Sequence, residues 1–381
     1  MYLENEKLKT FASIDLEVLE DNYRLLSEKI TRETPDCKLM CVVKANAYGH
    51  GIRDCVKRLG ALGVSTFGVS CIEEAREVRR CAPEGSDILI LGFTPPEDAG
   101  ELARDGYIQT VFSREYADEL SREAVRAGAC VRVHIKADTG MNRIGFDAST
   151  VSAEDAAREI VSVMQTEGLC VEGIFTHFAC ADAEDTASAR EQHEKFTALL
   201  DAMGEKKNGL CIHCCNSAAA LRFPEFRHDM VRLGLVLYGL SPLGDMPIDI
   251  KLRPVMRFVT TVTHVHTLKA GESVSYGARF TADRDMRIAT LGVGYADGFL
   301  RAFSNGGTVL IGGKPVSVVG SVCMDQCMVD IGDMDVRAGD EAVIFDSEGE
   351  NIERLATAAN TISYELVCLV GVRVRRVISK K

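Results

Sequence analysis

The feature that most constrains the fold is a series of eight short β-type runs in the first two-thirds of the chain, separated by charged helical stretches. Several runs are continuously apolar, which is typical of strands covered on both faces. They begin at Leu39, Ser65, Asp87, Ile108, Val131, Val171, Gly209 and Met230. Eight strands alternating with helices predict a parallel (β/α)8 barrel with its chemistry at the C-terminal ends of the strands. A doubly wound open sheet stays an alternative, because periodicity alone does not show closure.

The pattern changes after about residue 250, where FVTTVTHVHTL alternates apolar and polar residues. Gly312 and Gly313 lie between two further β-type runs, and two-residue Gly-Gly loops suit tight hairpins. We therefore predict a barrel over residues 1–250 and a mostly antiparallel β domain over 251–381. The first ten or so residues are expected to pack on the second domain. Because no Ser/Pro-rich linker separates the halves, we expect a packed interface between them.

The charge balance limits the partners, since 44 Lys and Arg stand against 56 Asp and Glu, a net charge of −12. An acidic chain disfavours nucleic acid and anionic membrane as partners. No apolar run approaches the roughly 20 residues that span a bilayer, and the first ten residues are polar. We expect a soluble, cytoplasmic protein without a membrane partner.

The 14 cysteines are scattered through apolar stretches and are predicted to be reduced thiols. One cluster, Cys211, Cys214 and Cys215 around His213, has metal-like spacing. A structural zinc site needs four ligands, and no second Cys/His pair follows downstream. The sequence therefore predicts no metal, and the cluster is interpreted as small buried side chains.

A candidate catalytic amine, Lys44, directly follows the first apolar run. This placement predicts an amine at the barrel mouth, where desolvation would lower its pKa and favour the neutral form that a Schiff base requires. Taken alone the position is weak evidence, because a lysine at a strand end is usually a solvated rim residue.

The string around Lys44 is the first of nine that together resemble the alanine racemase family, between about Phe11 and Arg376. In chain order they are VVKANAYGHG, KADTGMNRIGF, THFACAD, CNSAAAL, MVRLGLVLYGL, VSYGARF, GVGYADGF, VCMDQ and ISYE. The N-terminal stretch is looser, with Phe11 and Ser13 where the family pattern has other residues. The resemblance implies a pyridoxal-phosphate barrel followed by a β domain, and interconversion of L- and D-alanine by two bases.

The resemblance also implies roles for the reacting groups. Lys44 would hold pyridoxal phosphate as a Schiff base and serve as one base, while Tyr276 would serve as the other on the opposite face of the substrate Cα. A free phenol has a pKa of about 10 and is a poor base near neutral pH. Arg143 would favour the phenolate and also interact with the substrate carboxylate. Arg232 would face the pyridine nitrogen without protonating it, which would shorten the life of the carbanion.

Further residues are placed around the cofactor by the same motifs: Tyr48, Ser217, Gly234, Leu235 and Tyr364 at the phosphate, His177 stacked on the ring, and Asn216 and His213 supporting Arg232. Lys136 corresponds to a lysine that is carbamylated in some relatives, and a carbamate there would orient Arg143. Met324 and Asp325 fall at the family's substrate site, which is completed by the other subunit. The resemblance therefore implies a homodimer with composite sites.

Two alternatives stay open at this point. One is a relative that prefers serine or another small amino acid, although Tyr364 near the substrate methyl favours alanine. The other is a non-catalytic pyridoxal-phosphate carrier, which lacks a second domain and is disfavoured by the presence of that domain and of Tyr276. The usual role implied by the family is D-alanine supply for cell-wall peptidoglycan, with a catabolic or resistance-linked role as the alternative.

Overall fold

A computed structural model describes residues 10–244, 246, 247 and 249–379. The chain enters through β1 (Phe11–Ile14), which pairs with strands of the C-terminal half. Thr10 hydrogen-bonds to the Thr260 hydroxyl at 2.9 Å and donates to the Gly292 carbonyl at 2.7 Å. The start of the described chain therefore packs on the second domain, whereas residues 1–9 of the segment predicted to do so lie outside the described residues.

The barrel wall is built from eight parallel strands. They are β2 (Lys38–Val42), β3 (Thr66–Val69), β4 (Asp87–Ile90), β5 (Ile108–Val111), β6 (Val131–Asp138), then, after the two-residue β7 (Phe146–Asp147), β8 (Leu169–Phe175), β9 (Cys211–His213) and β10 (Met230–Leu233). Seven ladders run from β10 through β2 and around to β9. Two backbone hydrogen bonds, from Asp229 N to Ile212 O and from Arg232 N to Cys215 O, each 3.0 Å, close the circle.

The closed sheet confirms the barrel prediction and shows that the doubly wound alternative is wrong. Alternate residues point into the barrel and form their own apolar cluster, made of Met40, Val42, Leu89, Ile108 and Met230. A Cβ at Gly68 would lie 2.9 Å from the Met40 sulfur, so this position has no room for a side chain. The interior is a packed core, and the space for chemistry is at its mouth.

The described part of the chain contains eleven α-helical segments, most of them outside the barrel. They are α1 (Leu16–Glu33), α2 (Lys44–Tyr48), α3 (Ile52–Ala61), α4 (Ile72–Arg79), α5 (Ala99–Arg104), α6 (Arg114–Arg126), α7 (Ala153–Val163), α8 (Ala187–Met203), α9 (Ser217–Arg222), α10 (Glu350–Ala358) and α11 (Ser363–Cys368). Polar side chains accept the free amides at several helix starts, as Asp15 does for α1 and Ser113 for α6. No helix in these described ranges is long and apolar enough to cross a membrane.

The C-terminal half forms a second sheet, in which β1 is paired with the last strand in parallel and the other ladders are antiparallel. Its elements, with the small β12–β13 pair beside it, are β11 (Met256–Leu268), β12 (Ser273–Val274), β13 (Phe280–Thr281), β14 (Met286–Leu291), β15 (Thr308–Ile311), β16 (Lys314–Val319), β17 (Cys327–Asp330), β18 (Glu341–Phe345) and β19 (Arg375–Ile378). The predicted mostly antiparallel β domain is confirmed.

The hairpin predicted at Gly312 and Gly313 is also confirmed. Ile311 of β15 faces Lys314 of β16, and the two glycines between them have φ values of 57° and 76°. Positive φ at both central residues is the requirement of a two-residue hairpin loop, and glycine meets it without steric cost.

Asn22 of α1 connects the two halves at their junction. Its buried amide donates to the carbonyls of Leu237, at 3.1 Å, and Arg253, at 2.8 Å, and its oxygen accepts the Arg253 amide at 3.0 Å. One side chain thus satisfies three backbone groups where the chain leaves the barrel. The domain division at residue 250 stays a prediction.

Candidate active site

Lys44 follows β2 at the C-terminal end of the barrel, where it is half-buried. Burial lowers the pKa of its amine, and the positive charge of Arg143 lowers it further, while the Glu74 carboxylate acts in the opposite direction. Burial and a neighbouring cation both disfavour the protonated form, so the position favours a neutral, nucleophilic amine.

The turn that carries Lys44 is left-handed, which the sequence did not predict. Ala45, Asn46, Ala47 and Tyr48 have φ values between 50° and 55°, a conformation that costs non-glycine residues roughly 1–2 kcal/mol each. Strain of this kind persists only where the surroundings enforce it, and it clusters at functional sites.

Tertiary contacts hold this turn at both ends. Glu74 accepts the amide of Ala45 at 2.6 Å, and the Asn46 side chain accepts the amide of Ile52 at 2.8 Å. Arg376 donates to the Gly49 carbonyl at 2.9 Å. A Cβ at Gly49 would lie 2.0 Å from the Val367 carbonyl, so the turn is pressed against α11. Lys44 therefore projects from a rigid support.

The buried guanidinium of Arg232, on β10, lies below the mouth and is bonded to four acceptors. It donates to the carbonyls of Thr176 and Cys214, each at 2.9 Å. It also donates to Nδ1 of His213 at 2.9 Å and to Nδ1 of His177 at 3.0 Å. Burial lowers the pKa of Arg232 to about 10, which leaves it a cation at neutral pH. No carboxylate is among these four acceptors.

Arg232 fixes the tautomer of the two histidines that it contacts, His177 and His213. Because a guanidinium only donates, Nδ1 of His177 and of His213 must accept, and each ring carries its proton on Nε2. His213 Nε2 lies 3.0 Å from His134 Nδ1, which extends the chain of donors by one ring. Burial, followed for His177 and His213 by the charge of Arg232, lowers the pKa of all three imidazoles. They are therefore neutral at pH 7.

A small polar recess lies at the mouth between α9 and the end of β10. Gly234 N donates to the Ser217 hydroxyl at 2.8 Å. A Cβ on Gly234 would lie 2.6 Å from the Tyr48 hydroxyl and 3.6 Å from that of Ser217. Asn216 caps α9 by accepting the amide of Ala219 at 3.0 Å. Two hydroxyls and a backbone amide thus converge on a point kept open by the missing side chain.

Leu235 and Tyr364 flank this recess. Leu235 directly follows Gly234. It is buried, and it begins the short 3₁₀ helix Leu235–Tyr238. Tyr364, on α11, lies near Tyr48, and burial raises its pKa to about 12. The phenol of Tyr364 is therefore protonated and able to donate at neutral pH.

Lys136 and Arg143 add two more positive charges. Lys136 is buried on β6, and burial together with Arg143 and Arg232 lowers its pKa to about 8. Arg143 is exposed, but its backbone is fixed because Asp138 accepts its amide at 3.1 Å and those of Gly140 and Asn142 at 2.9 and 3.0 Å. The loop therefore holds Arg143 at the rim.

The structure does not bring Tyr276, Met324 or Asp325 to this mouth within one chain. Tyr276 is 72% exposed and Met324 53% exposed on the β domain. The Ser321 hydroxyl donates to the Tyr276 carbonyl at 2.9 Å, which holds their two segments side by side. Asp325 forms an ion pair with Arg373 at 2.7 Å. The candidate site residues thus fall into two groups, one at the barrel mouth and one on the β domain.

Three residues near the mouth were missed by the sequence analysis. Glu74 supports the Lys44 turn, His134 extends the histidine chain, and Cys368 interacts electrostatically with Lys44. Each depends on a contact between distant segments. Only His134 carried a signal, since it lies on the same predicted strand as Lys136.

Comparisons with known proteins cover both halves of the chain. The family model described as alanine racemase, N-terminal domain, matches residues 14–242, and the one described as alanine racemase, C-terminal domain, matches residues 255–378. An alanine racemase of Desulfovibrio desulfuricans is 41% identical over 369 residues, which is 96% of this chain and 97% of that protein. One of Desulforamulus reducens is 39% identical over 370 residues, 96% and 98% of the two chains.

Solved structures agree with the sequence relatives. The alanine racemase of Clostridium difficile superposes with a TM-score of 0.87 at 35% identity and covers 97% of this chain and 96% of that one. The alanine racemase of Streptomyces lavendulae superposes with a TM-score of 0.89 at 34% identity and covers 99% and 98%.

Fold and site define a class of two-domain proteins, in which a parallel barrel with a cationic mouth is joined to a mostly antiparallel β domain. Within that class, the two matching family models and relatives of about 40% identity decide the family. The chain belongs to the alanine racemase family.

The recess at Gly234 provides a test of the site. We expect Gly234→Ala to weaken binding of pyridoxal phosphate about tenfold or more, a loss of roughly 1.4 kcal/mol, because the new methyl group displaces the Tyr48 hydroxyl. Equilibrium dialysis of the purified variant measures this. Gly306→Ala is the matched control, since a Cβ there meets nothing within 4 Å. Equal affinity in both variants would mean that the recess does not hold the cofactor.

Proposed function

We propose that the protein is a pyridoxal-phosphate-dependent racemase that interconverts L- and D-alanine. The observation that carries the proposal is the half-buried Lys44, whose amine is made nucleophilic at the mouth of a barrel in a chain of the alanine racemase family. A carrier that only binds the cofactor has no use for the second domain, which the chain possesses and which one family model matches.

The residues at the mouth fit pyridoxal phosphate. The recess beside Gly234, which a Cβ would fill, presents the hydroxyls of Tyr48 and Ser217, which are donors that a phosphate requires. Lys44 would hold the aldehyde carbon through Nζ. Arg232 and His177 would bind the ring, and the phosphate contacts would be completed by the two residues that flank the recess, Leu235 and Tyr364. When bound, pyridoxal phosphate supplies the electron sink for the pair left on the substrate Cα.

Lys44 and Tyr276 would move the protons. Inversion requires removal of the Cα proton from one face and delivery to the other, so two bases on opposite faces solve the geometry. Lys44 Nζ serves one face and Tyr276 Oη the other. Arg143, fixed at the rim by Asp138, binds the substrate carboxylate and stabilises negative charge on the phenol.

Arg232 would hold the ring nitrogen without giving it a proton. Its four bonds leave the guanidinium oriented and charged, and its neighbours His177 and His213 are neutral acceptors. Because the cation is retained, no acidic proton is delivered at that edge of the ring. With its ring nitrogen unprotonated, bound pyridoxal phosphate would be a weaker electron sink, which would favour return of a proton to the substrate Cα over side reactions.

The base that serves the second face of the substrate Cα, Tyr276, would come from another copy of the chain. Tyr276 and Met324 are large side chains left exposed on the β domain, while Lys44 is enclosed by groups of the barrel mouth and by α11. A homodimer in which each β domain covers the partner's mouth brings the two groups together, with Met324 and Asp325 beside the substrate. We place this dimer in the cytoplasm, where D-alanine would supply peptidoglycan synthesis.

Lys136 is proposed to be carbamylated. With a pKa of about 8, a fraction of its amine is neutral near pH 7 and can add to CO2, forming an N–C bond and releasing one proton to solvent. The carbamate anion would lie beside Arg143 and Arg232. It would attract these two cations, whereas a protonated Lys136 repels them.

Carbon-13 NMR in labelled bicarbonate tests this proposal. We expect a carbamate resonance in the wild-type protein and none in Lys136→Met, which keeps the shape of the side chain without its amine. Lys29→Met is the control, because Lys29 is also buried but is paired with Glu33 and Asp249. A wild-type spectrum without the resonance, or one unchanged by Lys136→Met, would contradict carbamylation.

Isotope exchange tests the reaction itself. We expect the protein in heavy water to convert L-alanine to D-alanine with deuterium at Cα, and to act on L-serine more slowly, because Tyr364 crowds a larger side chain. Chiral chromatography and mass spectrometry measure both products. Equal rates on the two substrates would contradict the preference for alanine.

Two substitutions separate the bases in the same assay. Lys44→Ala is expected to lose cofactor absorbance and all exchange. Tyr276→Phe is expected to keep the absorbance and to lose about 10²–10⁴-fold in exchange, predominantly in one direction. Tyr23→Phe on α1 is the matched control and should keep full exchange. Unchanged exchange in Tyr276→Phe would exclude it as a base.

A further inference from the structure

A second group of ligating side chains lies away from the barrel mouth, where α8 packs beside the segment between α9 and β10. It consists of His193 on α8, Cys214 directly after β9 and His228 just before β10. One ligand atom from each residue lies within 4.8 Å of the other two. The three residues are brought together only by folding, since 21 positions separate the first two and 14 separate the last two.

Both imidazoles of this group carry a buried nitrogen that has nothing to bind. Nε2 of His193 and Nε2 of His228 are buried without a hydrogen-bond partner among the described residues. Buried polar atoms in folded proteins are nearly always paired, so two such atoms on one cluster call for a physical reason. Burial lowers the pKa of both rings, and the neutral imidazole that results is the form that ligates a metal.

The third member supplies sulfur. The Cys214 side chain is fully buried, and its Sγ donates to the Phe226 carbonyl at 3.0 Å. The same Phe226 ring stacks on His193, with centroids 3.9 Å apart, and holds that imidazole in place. Two nitrogens and one thiolate form a ligand set that suits Zn²⁺ and other soft cations.

We propose that His193, Cys214 and His228 bind one Zn²⁺ ion per chain through Nε2, Sγ and Nε2, with a water molecule as the fourth ligand. Binding breaks the S–H bond of Cys214, releases its proton to solvent and forms a Zn–S bond. With bond lengths of about 2.0–2.3 Å, the ligand atoms must approach to about 3.5 Å of one another, so the three side chains must rotate as the ion binds.

The site is separate from the catalytic residues but adjacent to them. The Cys214 carbonyl accepts a hydrogen bond from Arg232, while its sulfur points to Phe226. The sequence predicted no metal for the cluster of Cys211, Cys214 and Cys215, because no second pair of ligands follows. The fold supplies two ligands that this spacing did not include.

Metal binding to the cofactor-loaded, full-length protein tests the proposal. Chelator-buffered dialysis is expected to show one Zn²⁺ more per chain in the wild type than in Cys214→Ser or His193→Gln, with affinity for that ion lowered at least tenfold in either variant. With Co²⁺ as the probe, we expect a thiolate-to-cobalt absorption band in the wild type that Cys214→Ser lacks.

Two control variants test whether the metal ion binds at other cysteines or histidines. Cys55→Ser removes another fully buried thiol on α3, and His266→Gln removes an exposed imidazole on β11; both should retain the ion and the band. Circular dichroism checks the fold of each variant, and His228→Gln replaces any that is unfolded. Equal zinc uptake by the wild type and the ligand variants, or a cobalt band that persists without Cys214, would overturn the site.

Discussion

The rest of the site depends on a concentration of positive charge at one end of the barrel. Lys44, Lys136, Arg143 and Arg232 lie there, and burial followed by the charge of Arg143 lowers the pKa of both lysines. The nearby carboxylates Glu74 and Asp138 are bonded to backbone amides. Burial, reinforced by the charge of Arg232, keeps His177 and His213 neutral, and the positive charge of the mouth favours an anionic ligand. The proposed binding of a phosphate and of a carboxylate, and the proposed reactivity of Lys44, rest on this cationic and partly buried mouth.

The barrel could be predicted from the sequence because each of its eight strands lies in or beside a recognisable β-type run. Eight β-type runs, several of them continuously apolar, marked the barrel strands, and the two glycines at 312 and 313 marked a hairpin that the structure contains. The closure of the barrel could not be predicted from the order of strands and helices, because it depends on hydrogen bonds between residues near Asp229 and Ile212. Nor did any pattern indicate that β1 joins the second sheet, because a four-residue strand does not specify its partners.

The site was predictable where a short motif sets the geometry and unpredictable where distant segments meet. Ser217, Asn216 and Gly234 lie at strand and helix ends, and the structure brings them together. The left-handed turn after Lys44 gave no sequence signal, since three of its four residues rarely adopt that conformation and contacts from Glu74 and Arg376 enforce it. Likewise, the histidines that approach Cys214 come from α8 and the start of β10.

We propose that each cationic mouth is completed by the β domain of a second copy. Subunit mixing tests it most directly: Lys44→Ala and Tyr276→Phe chains are each weakly active or inactive, and equal amounts are exchanged into dimers before racemisation of alanine is measured. Half of the dimers then combine one chain of each kind, and one of their two sites joins an intact Lys44 to an intact Tyr276. We expect recovery of about one quarter of wild-type activity. A mixture no more active than its components would show that both groups act within one chain.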